Sequence, residues 1–184
     1  GIMPRSREDV PGWGRVRKIK DLYAEGKALS LDEVLHFSGT AHRHNETYAW
    51  SWAIAALLDF HPRYQERFRT LGRSVEARDF TESFRQLIGD DWETLSEEWQ
   101  VFVGNMEYGY DVPRMALNLK PGVSLKAGWN VVSVDAAKGW QNTGIQLAGG
   151  TSYEIRAKGR YQVAKEPKIW WCEPNGVTIR YYGG

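Results

Sequence analysis

The chain has 184 residues, 42% of them hydrophobic, with nine tryptophans and a net charge of +1. That length holds one domain or two small ones, and the apolar share is enough for a real core. Near-cancelling charge gives no electrostatic footprint for nucleic acid or an acidic membrane, and no apolar stretch approaches a membrane span. The lone Cys172 excludes an intrachain disulfide and leaves the redox compartment open.

Residues 1–13, GIMPRSREDVPGW, read as a disordered or linker start, cut inside a longer protein and without a signal peptide. From 14 to 110 the period is helical. RVRKIKDLYAEG places Val16, Ile19, Leu22 and Tyr23 on one face and stops at Gly26. Its basic residues Arg15, Arg17, Lys18 and Lys20 read as a solvated face. SLDEVLHF opens with a capping box between Ser30 and Glu33. Further on, Pro62 opens HPRYQERFRTLG, with Tyr64, Phe68 and Leu71 aligned. Asp79 caps a helix carrying Phe80, Phe84 and Leu87. In DDWETLSEEWQVFVGNM, Asp90 and Asp91 cap a helix whose stripe is Trp92, Leu95, Trp99, Phe102 and Met106, while Glu97 and Glu98 face water.

Between these helices lies GTAHRHNETYAWSWAIAALL, residues 39–58. His42, His44 and Glu46 alternate, as the ligands of a mononuclear metal site on a strand would. The residues that follow are helical, with Tyr48, Trp52, Ala55, Ala56 and Asp59 in period. Asn45 or Thr47 then serves as N-cap and Glu46 sits at the positive end of the helix dipole. The polar-cap reading is preferred, because helix starts commonly use these residue types.

From Pro121 the pattern changes. WNVVSV, TSYEIRAKGRYQV and GVTIRYY alternate or are rich in β-branched and aromatic residues, and KPG at 120–122 and AGG at 148–150 signal turns. The expected fold class is α+β: an N-terminal helical bundle over 14–110, a linker at 111–122, and a small antiparallel β-sandwich-like domain over 123–184. About sixty residues is short for a complete sandwich, so this domain is expected to be truncated or to leave an edge through which copies of the chain can pair.

The sequence lacks HExxH, a P-loop, a dinucleotide fingerprint, G-x-S-x-G and paired cysteines. Cys172, in WWCEP, reads as buried and inert. No recognisable catalytic centre is present.

Two stretches carry resemblances. ETYAWSWAIAALLDFHPRYQERFRTL, followed by DFTESFRQLIGDDWETLSEEWQVFV, resembles the part of gluzincin-type zinc peptidases after the metal-binding helix, most nearly in uncharacterised bacterial members. The resemblance implies a helical lobe that completes a substrate groove, partnered by an upstream peptidase half. Zinc would be expected only in that half, and no cofactor in this chain. It also implies a catalytic role for Tyr48, as hydrogen-bond donor to a developing oxyanion; Ser51 stands where those members carry glycine. VSVDAAKGWQNTGIQLAGGTSYEIRAKGRY, with CEPNGVTIRYYGG, resembles the β-sandwich of galactose-binding bacterial lectins of the LecA type. It implies carbohydrate binding, with Trp140, Trp170 and Trp171 as candidate stacking residues, although burial in the sandwich core is expected for at least two of them. Both resemblances imply an extracytoplasmic or periplasmic parent protein. The opposing expectation is a structural or interaction module without a peptidase role.

Overall fold

The computed structural model describes residues 5–6, 14–37, 45–74 and 80–177. The chain divides into two compact units: a helical one, residues 1–120 with 137–142, and a β unit, residues 121–136 with 143–184. The α+β class therefore holds, with helices α1 (Arg15–Ala24), α2 (Leu31–Leu35), α3 (Asn45–Phe60), α4 (Gln65–Ser74), α5 (Phe80–Ile88), α6 (Trp92–Asn105) and α7 (Val112–Met115).

In the helical unit α1 buries Val16, Ile19 and Leu22 and leaves Tyr23 half exposed at the rim. Gly26 closes it with φ +70°, a left-handed conformation that suits glycine, its N–H donating to the Tyr23 carbonyl at 3.0 Å. The capping box at α2 is complete: the Glu33 N–H donates to Ser30 Oγ, and the Ser30 N–H donates to Glu33 Oε2 at 2.7 Å. α3 is apolar on most sides and buries Ala49, Trp50, Ala53, Ile54, Ala56, Leu57 and Leu58. Such a helix belongs at the centre of a core, and α1, α2, α4, α6 and α7 all pack on it. Alanines at 49, 53 and 56 allow that close approach.

α6 supplies the opposing stripe of Leu95, Trp99, Phe102 and Val103, followed by Met106. Trp50 and Trp99 meet at 6.0 Å and 58°, and Phe102 meets Tyr110 edge-on at 5.2 Å and 81°. These are the tilted geometries that ring quadrupoles favour. Trp99 buries its polar end as well, Nε1 donating to the Leu29 carbonyl at 2.8 Å.

Several helix boundaries differ from the sequence reading. Pro62 lies in a turn, and α4 starts only at Gln65. Asp91 makes no capping hydrogen bond because its carboxylate is taken by Arg67, at 2.6 Å. α3 already includes Asn45, so Thr47 is in its first turn rather than at its cap. Asp79 lies outside the described residues. The stretch expected as a linker, 111–122, begins instead with α7. Asp111 caps it by accepting from the Arg114 N–H, and Val112 is buried in the helical core. Residues 137–142 return to this unit: Arg114 donates to the Ala137 carbonyl at 3.3 Å, and a Cβ at Gly139 would lie 2.5 Å from the Met115 side chain.

In the β unit, β1 (Val123–Ser124) pairs in parallel with β2 (Ile145–Gln146). β3 (Tyr161–Ala164), β4 (Trp170–Glu173) and β5 (Gly176–Val177) form an antiparallel sheet in that order. The described strands thus make two small sheets, one of them parallel, where an antiparallel domain was expected. WNVVSV, at 129–134, is not a strand: Val131 is 86% exposed and Val134 68%. Alternation marks a segment able to pair, but a strand forms only where a neighbour completes the ladder.

Candidate functional site

A buried group of titratable side chains lies inside the helical unit. His61 continues the end of α3, its N–H bonded to the Leu57 carbonyl at 2.9 Å. The turn after it brings in Arg63 and Tyr64, and the middle of α6 brings in Glu98. His61 and Glu98 are 2% and 3% exposed, and Tyr64 is fully buried. His61 Nε2 lies 3.5 Å from Glu98 Oε2, and an Arg63 guanidinium nitrogen lies 3.4 Å from Oε1. His61 Nδ1 accepts from the Arg63 backbone N–H at 3.2 Å, which assigns the imidazole proton to Nε2, on the Glu98 side.

Burial governs the protonation of this group. It pulls the His61 pKa from 6.5 down to about 4, with the charge of Arg63 acting in the same direction. It holds the Glu98 carboxyl above its usual range, against the opposing pull of Tyr64 and Arg63. The Tyr64 hydroxyl is also pushed up by burial and by Glu98. Among the described residues His61 Nε2 and both Glu98 carboxylate oxygens meet no partner at good hydrogen-bond geometry. They border a cavity of about 10 Å³ shared with Leu57, Phe102, Tyr110 and Met115. That is room for one water, which can bridge such groups, and not for a substrate. The sequence reading put Glu98 in water. The correction was legible in the spacing, since Glu98 falls between Leu95 and Phe102 on the buried stripe.

Tyr48 stands on the first turn of α3, 44% exposed, with the Arg15 guanidinium 4.6 Å from its ring centre. Arg15 also lies 5.7 Å from the Trp52 ring. The neighbouring first-turn residues Asn45, Glu46 and Thr47 line a groove of about 410 Å³ with Lys18, Leu29 and Phe37. Lys18 Nζ and Glu46 Oε2 are 3.8 Å apart across it.

Of the three candidate tryptophans, Trp140 belongs to the helical unit, where its Nε1 donates to Asn105 Oδ1 at 3.1 Å. Only Trp170 and Trp171, adjacent on β4, share the β unit. All three are open to solvent, at 65%, 56% and 46% exposure, so the expected burial of at least two does not occur. Cys172, next to them, is buried at 2%.

His42 and His44 lie outside the described residues. Among the described residues no group of three or more His, Cys, Asp or Glu side chains is placed to hold a metal ion, and none of the helices is long and apolar enough to cross a membrane. No family model, curated protein or solved structure matches the chain.

Proposed function

We propose that this chain is the non-catalytic C-terminal region of a bacterial gluzincin-like metallopeptidase. The helical unit completes the substrate groove of an upstream, zinc-bearing peptidase half, and the β unit, a lectin-like sandwich domain, binds carbohydrate. The observation that carries the reading is the open placement of the aromatic side chains the two resemblances single out. Tyr48 stands half exposed on the first turn of α3, and Trp170 and Trp171 are both exposed on β4. Exposed aromatic side chains supply the flat faces and hydroxyl donors that such binding and catalysis use.

In the intact protein Tyr48 donates a hydrogen bond to the oxyanion that develops at the scissile carbonyl. Tyr48→Phe is expected to lower turnover by about 10²-fold or more with little change in substrate binding, the scale for losing one oxyanion donor. Unchanged turnover in an active parent protein would reduce Tyr48 to a packing residue.

A structural or interaction module is the second reading, favoured by the exposed aliphatic residues of the β unit, Val131, Ile155 and Ile169. Glycan binding by the purified chain decides between the two for that unit.

A further inference from the structure

The register of β3 and β4 sorts their side chains into two faces. Tyr161 is opposite Cys172 and Gln162 is opposite Trp171. Directly opposed residues in an antiparallel pair share a face, and neighbours along a strand alternate. The same register sets Arg160 opposite Glu173, and Arg160 Nε donates to Glu173 Oε1 at 3.2 Å. One face of the hairpin thus carries Tyr161 and the buried Cys172. The other carries Arg160, Glu173, Gln162 and Trp171 together.

That second face is open: Trp171 is 46% exposed, and the Arg160 and Glu173 side chains are 50% and 40% exposed. It is an indole plate bordered by a carboxamide and by an arginine–carboxylate pair. A pyranose needs this combination. Its C–H face packs on an aromatic plane, and its ring hydroxyls both donate and accept, so they use Glu173 and Gln162 as acceptors and Arg160 and Gln162 as donors. The surrounding chain adds charge. Arg156 and Glu154 are paired at 2.6 Å, but Lys158, two residues before Arg160, and Lys165 and Lys168, in the hairpin connection, make no ion pair among the described residues. Glu166 is the single carboxylate among those three lysines.

Resting on the carbohydrate reading above, we propose that this face is the sugar subsite, with Trp171 as its stacking platform, and that its ligand is an acidic polysaccharide. The lysines attract uronate carboxylates on residues flanking the stacked one. A single-stranded nucleic acid would also offer negative charge and flat rings. It is disfavoured because this face of the hairpin offers one aromatic plate, Trp171, whereas successive bases stack on successive rings.

The test uses the full chain and four probes: an oligogalacturonate, its methyl-esterified counterpart, a neutral galactan oligosaccharide and a single-stranded RNA. The oligogalacturonate is expected to bind most tightly, with affinity that falls as salt rises. Trp171→Ala should weaken it about tenfold or more, the scale of losing one aromatic stacking contact. Trp171→Tyr, which keeps a stacking ring, should stay within about threefold of the parent chain. Lys165→Ala with Lys168→Ala should weaken the acidic probe and leave the esterified one unchanged. If Trp171→Ala perturbs the sheet, Gln162→Leu and Glu173→Gln probe the same face, each with a loss of several-fold expected. Acidic-probe binding indifferent to all of these face variants overturns the site. Equal or tighter binding of the neutral galactan overturns the acidic ligand while leaving the carbohydrate reading intact. Absence of binding to every glycan removes both. Trp171-dependent binding of the RNA above the glycans replaces the ligand class.

Discussion

The helical and β units draw on the same kind of residue and use it in opposite ways. In the helical unit Trp50, Trp99, Phe84 and Phe102 are enclosed, each at 1% exposure or less. In the β unit Trp129, Trp170 and Trp171 stand in solvent, and Trp129 carries the Arg156 guanidinium 4.6 Å from its ring. The difference follows from how each structure satisfies its backbone. A helix closes its own hydrogen bonds and is free to turn an apolar stripe toward any neighbour. A strand depends on another strand for its ladder, and strands of two to four residues give little area on which a second layer can rest. An enclosed aromatic residue of the helical unit therefore reads as stability, and one on the open face of the hairpin reads as recognition.

The sharpest way to break this contrast is truncation on each side. Trp99→Ala should destabilise the helical unit by about 3–5 kcal/mol, the range for emptying a buried aromatic site, with loss of the bond to Leu29 included. Trp171→Ala should cost about 0.5 kcal/mol or less, the range for a surface change. Urea unfolding followed by far-ultraviolet circular dichroism measures both. Similar costs would mean that the β face is packed rather than displayed.

The next effect concerns acid. His61 titrates near 4 when folded and near 6.5 when unfolded, so the unfolded chain binds more protons between those values. Its contribution is present above about pH 6.5 and is lost as pH falls toward 4, by up to about 3 kcal/mol. Glu98 acts in the opposite sense. Its raised pKa gives a contribution that is full below the unfolded value and lost as pH rises through the folded one. His61→Asn keeps an acceptor for the Arg63 N–H and removes the imidazole. Its loss of stability between pH 7 and pH 4.5 should be smaller than that of the parent chain, and an unchanged loss would assign acid sensitivity elsewhere.

The smallest effect concerns the join. α7 is anchored by Val112, so limited proteinase K digestion should spare 112–115 and cut first in the coil at 116–120. Mass spectrometry of the first fragments reads this directly. A first cut within 112–115 would mean that α7 opens locally.

Much of the helical unit was determined by sequence alone. The period of Val16, Ile19 and Leu22, the Ser30–Glu33 box and the stripe from Leu95 to Met106 are local patterns, and a helix is built from local hydrogen bonds. The change of character near Pro121 was legible for the same reason, because it is a change of period. Tertiary structure alone decided three things. It enclosed Glu98 with His61, because α3 and α6 pack on the side of α6 where the charge happens to fall. It left WNVVSV unpaired and paired Tyr161–Ala164 with Trp170–Glu173, because strand pairing is a choice among distant partners. And by fixing that register it set Trp171, Gln162, Arg160 and Glu173 on one open face, a grouping that no spacing along the chain announces.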